Sequence, residues 1–300
     1  PDGADAAGAR CPEPGDVEAP GRYRQPVSSN ASDVPGPGKR AKGREKAAAA
    51  ERAERAERAA KADVKLPEQV YKDERPAEYF ARYHERSRDH EPEWIYEFVR
   101  VITTLLAVTV FRARAFGSEN VPNGPVIIAP NHGSFMDHFL CGAFIRRHVQ
   151  FMAKSHMFTH GSLKTWIYTH GGVFPVRRGS RDEESFTTAT TILRRGGCLG
   201  MYVEGGRTRT GELSDEAKPG MGRLALETGA AIVPVAIIGS HRIRNWKRFE
   251  FPRITVHYGA PLSFTPVQDP SRGMQQAASD EVLRRIRTLY EQNLDSKKAG

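Results

Sequence analysis

The sequence predicts an α/β domain, a single unit with a largely parallel sheet flanked by helices. Two observations carry this expectation. Beyond Arg114, short apolar runs alternate with segments of helical spacing, and such alternation builds β-α-β units whose strands run parallel. Before Leu66 the chain has no Leu, Ile, Met, Phe or Trp, so the core must be drawn from the residues beyond it.

Residues 1–65 are dominated by Pro, Gly, Ala and charge and read as a disordered tail, ending in a solvated Ala/Glu/Arg helix around the triplet AERAERAER. Within it Glu51 with Arg55, and Glu54 with Arg58, stand at i,i+4 spacing, a support of about 0.3 kcal/mol per pair. Residues 66–295 form the folded domain. It opens with the most apolar stretch of the chain, WIYEFVRVITTLLAVTVF from Trp94 to Phe111, the body of an amphipathic, membrane-proximal helix over 94–116. Glu97 and Arg100 interrupt it, and the uncharged remainder is too short for a bilayer, which needs roughly 20 apolar residues. Two readings stay open: a core helix, or an interfacial helix with Trp94 and Tyr96 at headgroup depth and Arg112 and Arg114 against lipid phosphate.

Strands are expected at Val126–Ala129, Val149–Ala153, Gly172–Val176, Leu199–Val203, Ile232–Ile238 and Ile254–Tyr258. Helices are expected at Met136–Arg147, Leu163–Thr169, Arg181–Arg195 and Ala217–Thr228, with a closing helix from Ser279 to Asn293. In such sheets ligands bind at the loops after the strand C-termini.

Lys and Arg number 45 against 36 Asp and Glu, a formal charge of +9, which favours anionic partners: a phosphorylated substrate, an anionic membrane surface or nucleic acid. No nucleic-acid-binding motif or interleaving of aromatic and basic residues supports the last. Three widely spaced cysteines, Cys11, Cys141 and Cys198, fit neither a disulfide framework nor a zinc ribbon and point to a reducing compartment. Cys141 and Cys198 read as small buried hydrophobes. The first thirty residues hold no apolar signal core. A cytoplasmic protein, peripheral on the membrane, is therefore the expected setting.

The most informative loop is PVIIAPNHGSFMDHF. A buried strand ends at Pro130, a turn follows, and a helix begins near Phe135. His132 and Asp137 would diverge by about 140° on one continuous helix. With the histidine in the turn and the aspartate in the first helical turn, the carboxylate can accept from one imidazole nitrogen and leave the other basic, as a general base requires. An isolated HxxxxD is otherwise a solvated histidine beside a helix-start aspartate. Three later segments change that reading: GGVFPVRRG with Arg177 and Arg178, MYVEGGRTRTGEL with Glu204, Gly205, Gly206 and Arg207, and IVPVAIIG with Pro234, each at or after a strand.

Together these segments resemble the four ordered motifs of the glycerolipid acyltransferase family, the lysophosphatidic acid acyltransferases. NHGSFMD matches NHxxxxD in full. VFPVRR matches the second motif at Phe174 and Arg177, with Pro175 in an aliphatic position. YVEGGR matches FPEGTR at Glu204, Gly205 and Arg207, with Val203 for Pro and Gly206 for Thr, and IVPVAI matches the fourth. The resemblance spans about residues 94–265.

It implies transfer of an acyl group from acyl-CoA or acyl carrier protein to a hydroxyl of lysophosphatidic acid or a related lysophospholipid, in phospholipid biosynthesis. Glycerol 3-phosphate or another lipid-linked alcohol is the alternative acceptor. His132 would be the base and Asp137 its orienting partner. Arg177 and Arg207 would hold acceptor phosphate, Lys154 could join them, and Glu204 would pair with an Arg, cap its loop or contact acceptor hydroxyls. NH groups of the Gly205-Gly206 turn would face the oxyanion. Arg178, Arg181 and Arg209 are weaker candidates. No metal and no cofactor beyond the acyl donor are implied. A distant alternative, a metallohydrolase using Asp137 and His138, lacks a ligand, because Ser134 stands where a second His is needed.

Overall fold

β2 (Val126–Pro130) is buried along its whole length and lies at the centre of a seven-stranded sheet. In the computed structural model of the chain, the described residues are 73–177, 182–208, 211–243 and 251–298, with side chains to 294. The expected tail and its Ala/Glu/Arg helix lie outside them, as do Cys11, Arg178, Arg181 and Arg209. The sheet order is β1 (Arg114–Phe116), β7 (Thr255–Tyr258), β6 (Ala231–Ile238), β2, β5 (Cys198–Gly200), β3 (Val149–Lys154) and β4 (Val173–Val176). From β6 to β4 every pairing is parallel. β7 runs antiparallel to β6, and β1 pairs parallel with β7.

The period-two alternation of β2 sorts its side chains between two cores. Val126 and Ile128 pack with Leu140, Cys141, Val233 and Val235 on one face. Ile127 and Ala129 pack with Ile192, Leu193, Met221, Leu224 and Ile286 on the other. Helices cover both faces, which is why the strands read as apolar runs. Cys141 and Cys198 are buried as expected. Where β5 passes β3, Gly200 lies under Phe151: a Cβ there would come within 2.0 Å of the phenyl ring.

The helices are α1 (Glu78–Asp89), α2 (Trp94–Thr109), α3 (Asp137–Ala143), α4 (Leu163–His170), α5 (Glu183–Arg194), α6 (Gly220–Thr228) and α7 (Arg272–Lys298). Several expected boundaries shift. α3 stops at Ala143, and Arg147 beyond it donates to the carbonyls of Pro122 and Gly196 (2.8 and 2.5 Å) instead of extending the helix. α5 starts at Glu183 because Asp182 caps it, accepting from Ser185 N–H. β5 ends at Gly200, and Met201–Val203 leave the sheet toward the site. α1 and β1 were not anticipated.

α2 corrects the expectation most. The helix ends at Thr109, so residues 114–116 of the expected segment form a strand instead. The core reading fails, because only Ile95 and Ala107 are buried. Its polar side faces the protein: Arg100 donates to Ile145 O (3.0 Å), Thr104 to Ala143 O (3.2 Å), and Glu97 meets His148 (2.7 Å). Its apolar side faces outward, with Trp94 66 % and Leu105 60 % exposed beside Phe98, Val101, Ile102, Leu106 and Val108. Trp166 of α4, 6.5 Å from Trp94 between ring centroids, and the exposed Leu163 continue this surface. Among the described residues no helix is long and apolar enough to cross a membrane.

Candidate active site

The turn after β2 is pinned before it presents any chemistry. Asn131 donates from Nδ2 to Ile237 O (3.1 Å) and accepts from Ile237 N–H at Oδ1 (2.7 Å). The His132 carbonyl accepts from both the N–H (2.9 Å) and the hydroxyl (3.3 Å) of Thr208, and the His132 N–H points to Glu204 Oε1 at 3.4 Å. With its backbone held from both neighbouring strands, His132 has little freedom left.

Its imidazole Nδ1 lies 3.0 Å from Asp137 Oδ2, and the same oxygen accepts from Ser134 N–H (2.6 Å). Asp137 is fully buried at the first residue of α3. A carboxylate only accepts, so the proton of this pair sits on Nδ1 and the lone pair is left on Nε2. Turn plus first helical turn thus brings together two residues that one helix would separate.

The loop after β5 is the next neighbour, since β5 pairs with β2. Tyr202 stacks on His132 with ring centroids 3.8 Å apart. Glu204 is buried, and desolvation, with Asp137 adding to it against the His132 N–H bond, pushes its carboxyl up to about 7. No arginine pairs with it among the described residues; its Oε1 faces the His132 N–H instead. Gly205 has φ +66°, a conformation suited to glycine, and a Cβ would meet Lys218 Cγ at 2.9 Å. Its N–H donates to Tyr202 O (3.1 Å), so of the two expected oxyanion donors this one is already engaged in the turn. Gly206 has open space around it, and Arg207 is exposed.

The remaining candidates stand farther along the same sheet edge. Lys154 is exposed at the end of β3, two strands from β2, and Arg177 follows β4, three strands away. At about 4.8 Å per strand these are offsets of roughly 10 and 14 Å. Arg177 is held by α1 and its approach: its N–H donates to Asp182 (2.6 Å), its Nη1 lies 3.4 Å from Arg75 O, and the guanidinium sits 6.0 Å from the Phe80 ring. Two further side chains adjoin the site, one of them read from the sequence only as a metal-ligand alternative. His138 packs against Phe139 with centroids 3.9 Å apart, and burial, followed by the charges of His132 and Arg207, lowers its imidazole to about 3. Tyr202 is the other, and nothing in local spacing marks it. Among the described residues no group of three or more His, Cys, Asp or Glu side chains could hold a metal ion.

A largely parallel α/β sheet with a histidine–aspartate pair on the loop after its central strand defines the class: an α/β protein with its candidate site at the strand C-termini. Residues 112–238 match the family model described as Acyltransferase. The chain is 28 % identical over 131 residues to the chloroplastic 1-acyl-sn-glycerol-3-phosphate acyltransferase LPAT1 of Arabidopsis thaliana, covering 42 % of this chain and 36 % of the relative. It is 29 % identical over 127 residues to a 1-acyl-sn-glycerol-3-phosphate acyltransferase of Borreliella burgdorferi, covering 42 % and 50 %. The match thus spans about a third to a half of these relatives' lengths. The fold is similar to that of the crystal structure of the 1-acyl-sn-glycerophosphate acyltransferase PlsC from Thermotoga maritima, with a TM-score of 0.50 at 21 % identity, over 70 % of this chain and 88 % of that one.

Proposed function

We propose that the chain is an O-acyltransferase of phospholipid biosynthesis, moving a fatty acyl group from the thioester of acyl-CoA or acyl carrier protein to the free hydroxyl of lysophosphatidic acid or a related lysophospholipid. The observation that carries this reading is the His132–Asp137 pair, 3.0 Å apart at the end of the central strand, with Nε2 unengaged among the described residues. Nε2 takes the hydroxyl proton as the acceptor oxygen attacks the thioester carbonyl, and Asp137 stabilises the imidazolium. The tetrahedral intermediate then expels the thiolate, which receives the proton back. No enzyme nucleophile enters the cycle, in keeping with the burial of both described cysteines.

Arg207, exposed on the loop next to His132, is assigned to the acceptor phosphate, which its planar fork can grip with two hydrogen bonds. Arg177 and Lys154, at offsets of roughly 14 and 10 Å, suit the far side of an extended amphiphilic substrate or the phosphates of the donor. Gly206 contributes its backbone N–H and leaves space beside Arg207.

The setting is peripheral, on the cytoplasmic surface of an anionic membrane. The outward apolar face of α2, extended by Leu163 and Trp166, would enter the headgroup boundary while Arg112 and Arg114, both exposed, meet lipid phosphate. Such docking brings the site to an acceptor that does not leave the bilayer. The deciding experiment incubates purified protein with acyl-CoA or acyl carrier protein and a panel of lysophosphatidic acid, other lysophospholipids and glycerol 3-phosphate, with products identified by mass spectrometry. An acylated lysophosphatidic acid supports the reading; an acyl product only from glycerol 3-phosphate reassigns the acceptor; no acyl product with either donor overturns it.

A further inference from the structure

Buried polar atoms without a hydrogen-bond partner are rare in folded proteins, and each needs a reason. Among the described residues there are five, and three of them belong to side chains that touch His132: Asp137 Oδ1, Tyr202 Oη and Glu204 Oε2. Asp137 meets its ring nitrogen, Glu204 its backbone N–H, and Tyr202 its ring face. The Tyr202 and His132 planes are inclined by only 21° with centroids 3.8 Å apart, so the phenol covers one face of the imidazole and blocks its rotation.

We propose that Tyr202 is a positioning residue for His132: its ring clamps the imidazole in the plane that aims Nδ1 at Asp137, and its hydroxyl, across one ordered water, supplies the donor that Asp137 Oδ1 lacks. This rests on the reading of His132 as the general base. Oδ1 can only accept, and a phenol is a donor while it keeps its proton. Burial, with smaller contributions from Cys141 and Asp137, holds that proton well beyond the ordinary phenol range. The carboxylate is then fixed through both oxygens, Oδ2 by Ser134 N–H and the imidazole, Oδ1 by the phenol through that water. A base whose partner cannot rotate keeps Nε2 on the line of attack, and small misplacements of such groups are costly in rate. The ring face also lies against the imidazolium that forms during transfer, a favourable cation–π arrangement. The third orphaned atom, Glu204 Oε2, is left to the proton its raised affinity retains.

The test compares wild type, Tyr202→Phe, Tyr202→Leu and His132→Ala in acyl transfer from acyl-CoA to lysophosphatidic acid across pH. Tyr202→Leu should lower kcat about 10- to 100-fold with acceptor KM within about threefold. Tyr202→Phe keeps the clamp and loses the donor, so it should lose about 3- to 10-fold in kcat and move the acid limb of the profile upward, because a less satisfied Asp137 makes the imidazole more basic. The groups facing His132 that set this limb in both proteins are Asp137, Glu204, His138 and Arg207. A purely structural tyrosine would lower the melting temperature and leave the limb in place. If Tyr202→Leu does not fold, Tyr202→Phe, which preserves the packing, decides alone. Inactive His132→Ala beside a Tyr202→Phe enzyme with unchanged kcat and pH limb overturns this inference only, whereas full activity of His132→Ala overturns the general-base reading itself.

Discussion

Asn131 and Ile237 are joined by two hydrogen bonds, the side-chain amide of one exchanging donor and acceptor with the backbone of the other at 3.1 and 2.7 Å. The amide takes the place of a strand residue where β2 has ended and β6 continues, so the ladder persists by one rung after the β2 backbone has turned away. That rung is what releases His132 from the sheet while holding it within reach of Asp137. Asn131→Ala leaves both backbone groups of Ile237 buried and unpaired. We expect a stability loss of about 2–4 kcal/mol in denaturant unfolding, accompanied by a lower kcat. Unchanged stability would show that the amide is dispensable.

The His132–Asp137 pair predicts a kinetic pattern. His132→Ala should reduce acyl transfer by about two to four orders of magnitude with acceptor binding nearly unchanged. Asp137→Asn, which lets Nδ1 lose its proton to Nε2, should fall between that variant and wild type. Treatment with a chelator should leave the wild-type rate intact, and inactivation by it would favour metal-dependent chemistry.

Arg207 is assigned to recognition, so Arg207→Ala should raise acceptor KM by at least tenfold while kcat changes little. That is about 1.4 kcal/mol of lost binding. Arg207→Lys should recover only part, because an ammonium lacks the bidentate fork. A defect confined to the acyl donor would move Arg207 to the donor phosphates.

The inverted amphipathicity of α2 separates docking from folding. Leu105 and Val108 are exposed, so Leu105→Asp with Val108→Asp should fold with a melting temperature close to wild type. It should lose flotation with anionic vesicles and transfer to bilayer-embedded acceptor, while acylating a short-chain dispersed acceptor. Wild-type flotation should weaken with salt, since surface attraction is screened over about 10 Å at 0.1 M. Unimpaired flotation of the double variant would exclude α2 as the anchor.

Glu204 makes a pH-dependent prediction. Its carboxyl titrates near 4.5 when solvated and is pushed up to about 7 here by burial. The folded state therefore binds the extra proton between these values, and Glu204 contributes stability below about pH 4.5 that is lost as pH rises through about 7. Glu204→Gln cannot ionise, so its stability relative to wild type should climb across that window, by an amount on the order of 3 kcal/mol. His84 and His138, lowered by burial to about 4 and about 3, act in the opposite sense as pH falls below about 6.5 and are common to both proteins, so the difference isolates Glu204. A flat difference curve would mean that Glu204 is not desolvated.

Short-range chemistry determined what could be read directly from the chain. Apolar runs, broken in β3 by the buried Gln150, marked β2, β3, β4 and β6 because both faces of a parallel sheet are covered, and the separation of His132 from Asp137 required a turn running into a helix. Periodicity could not say which strands adjoin. The order β6-β2-β5-β3-β4 comes from crossover packing, and it is what sets Arg207 beside His132 and leaves Arg177 three strands away. Three residues at the far edge were too few to announce β1. For α2, composition left both a core and an interfacial helix open, since an apolar stripe has the same spacing whichever way it turns. Only the tertiary contacts, which place Arg100 and Thr104 against α3 and its following loop, decided that the stripe faces outward. Tyr202 illustrates the same limit: its ring meets His132 across 70 residues of sequence only because β5 and β2 are neighbours, and that adjacency is a property of the folded sheet.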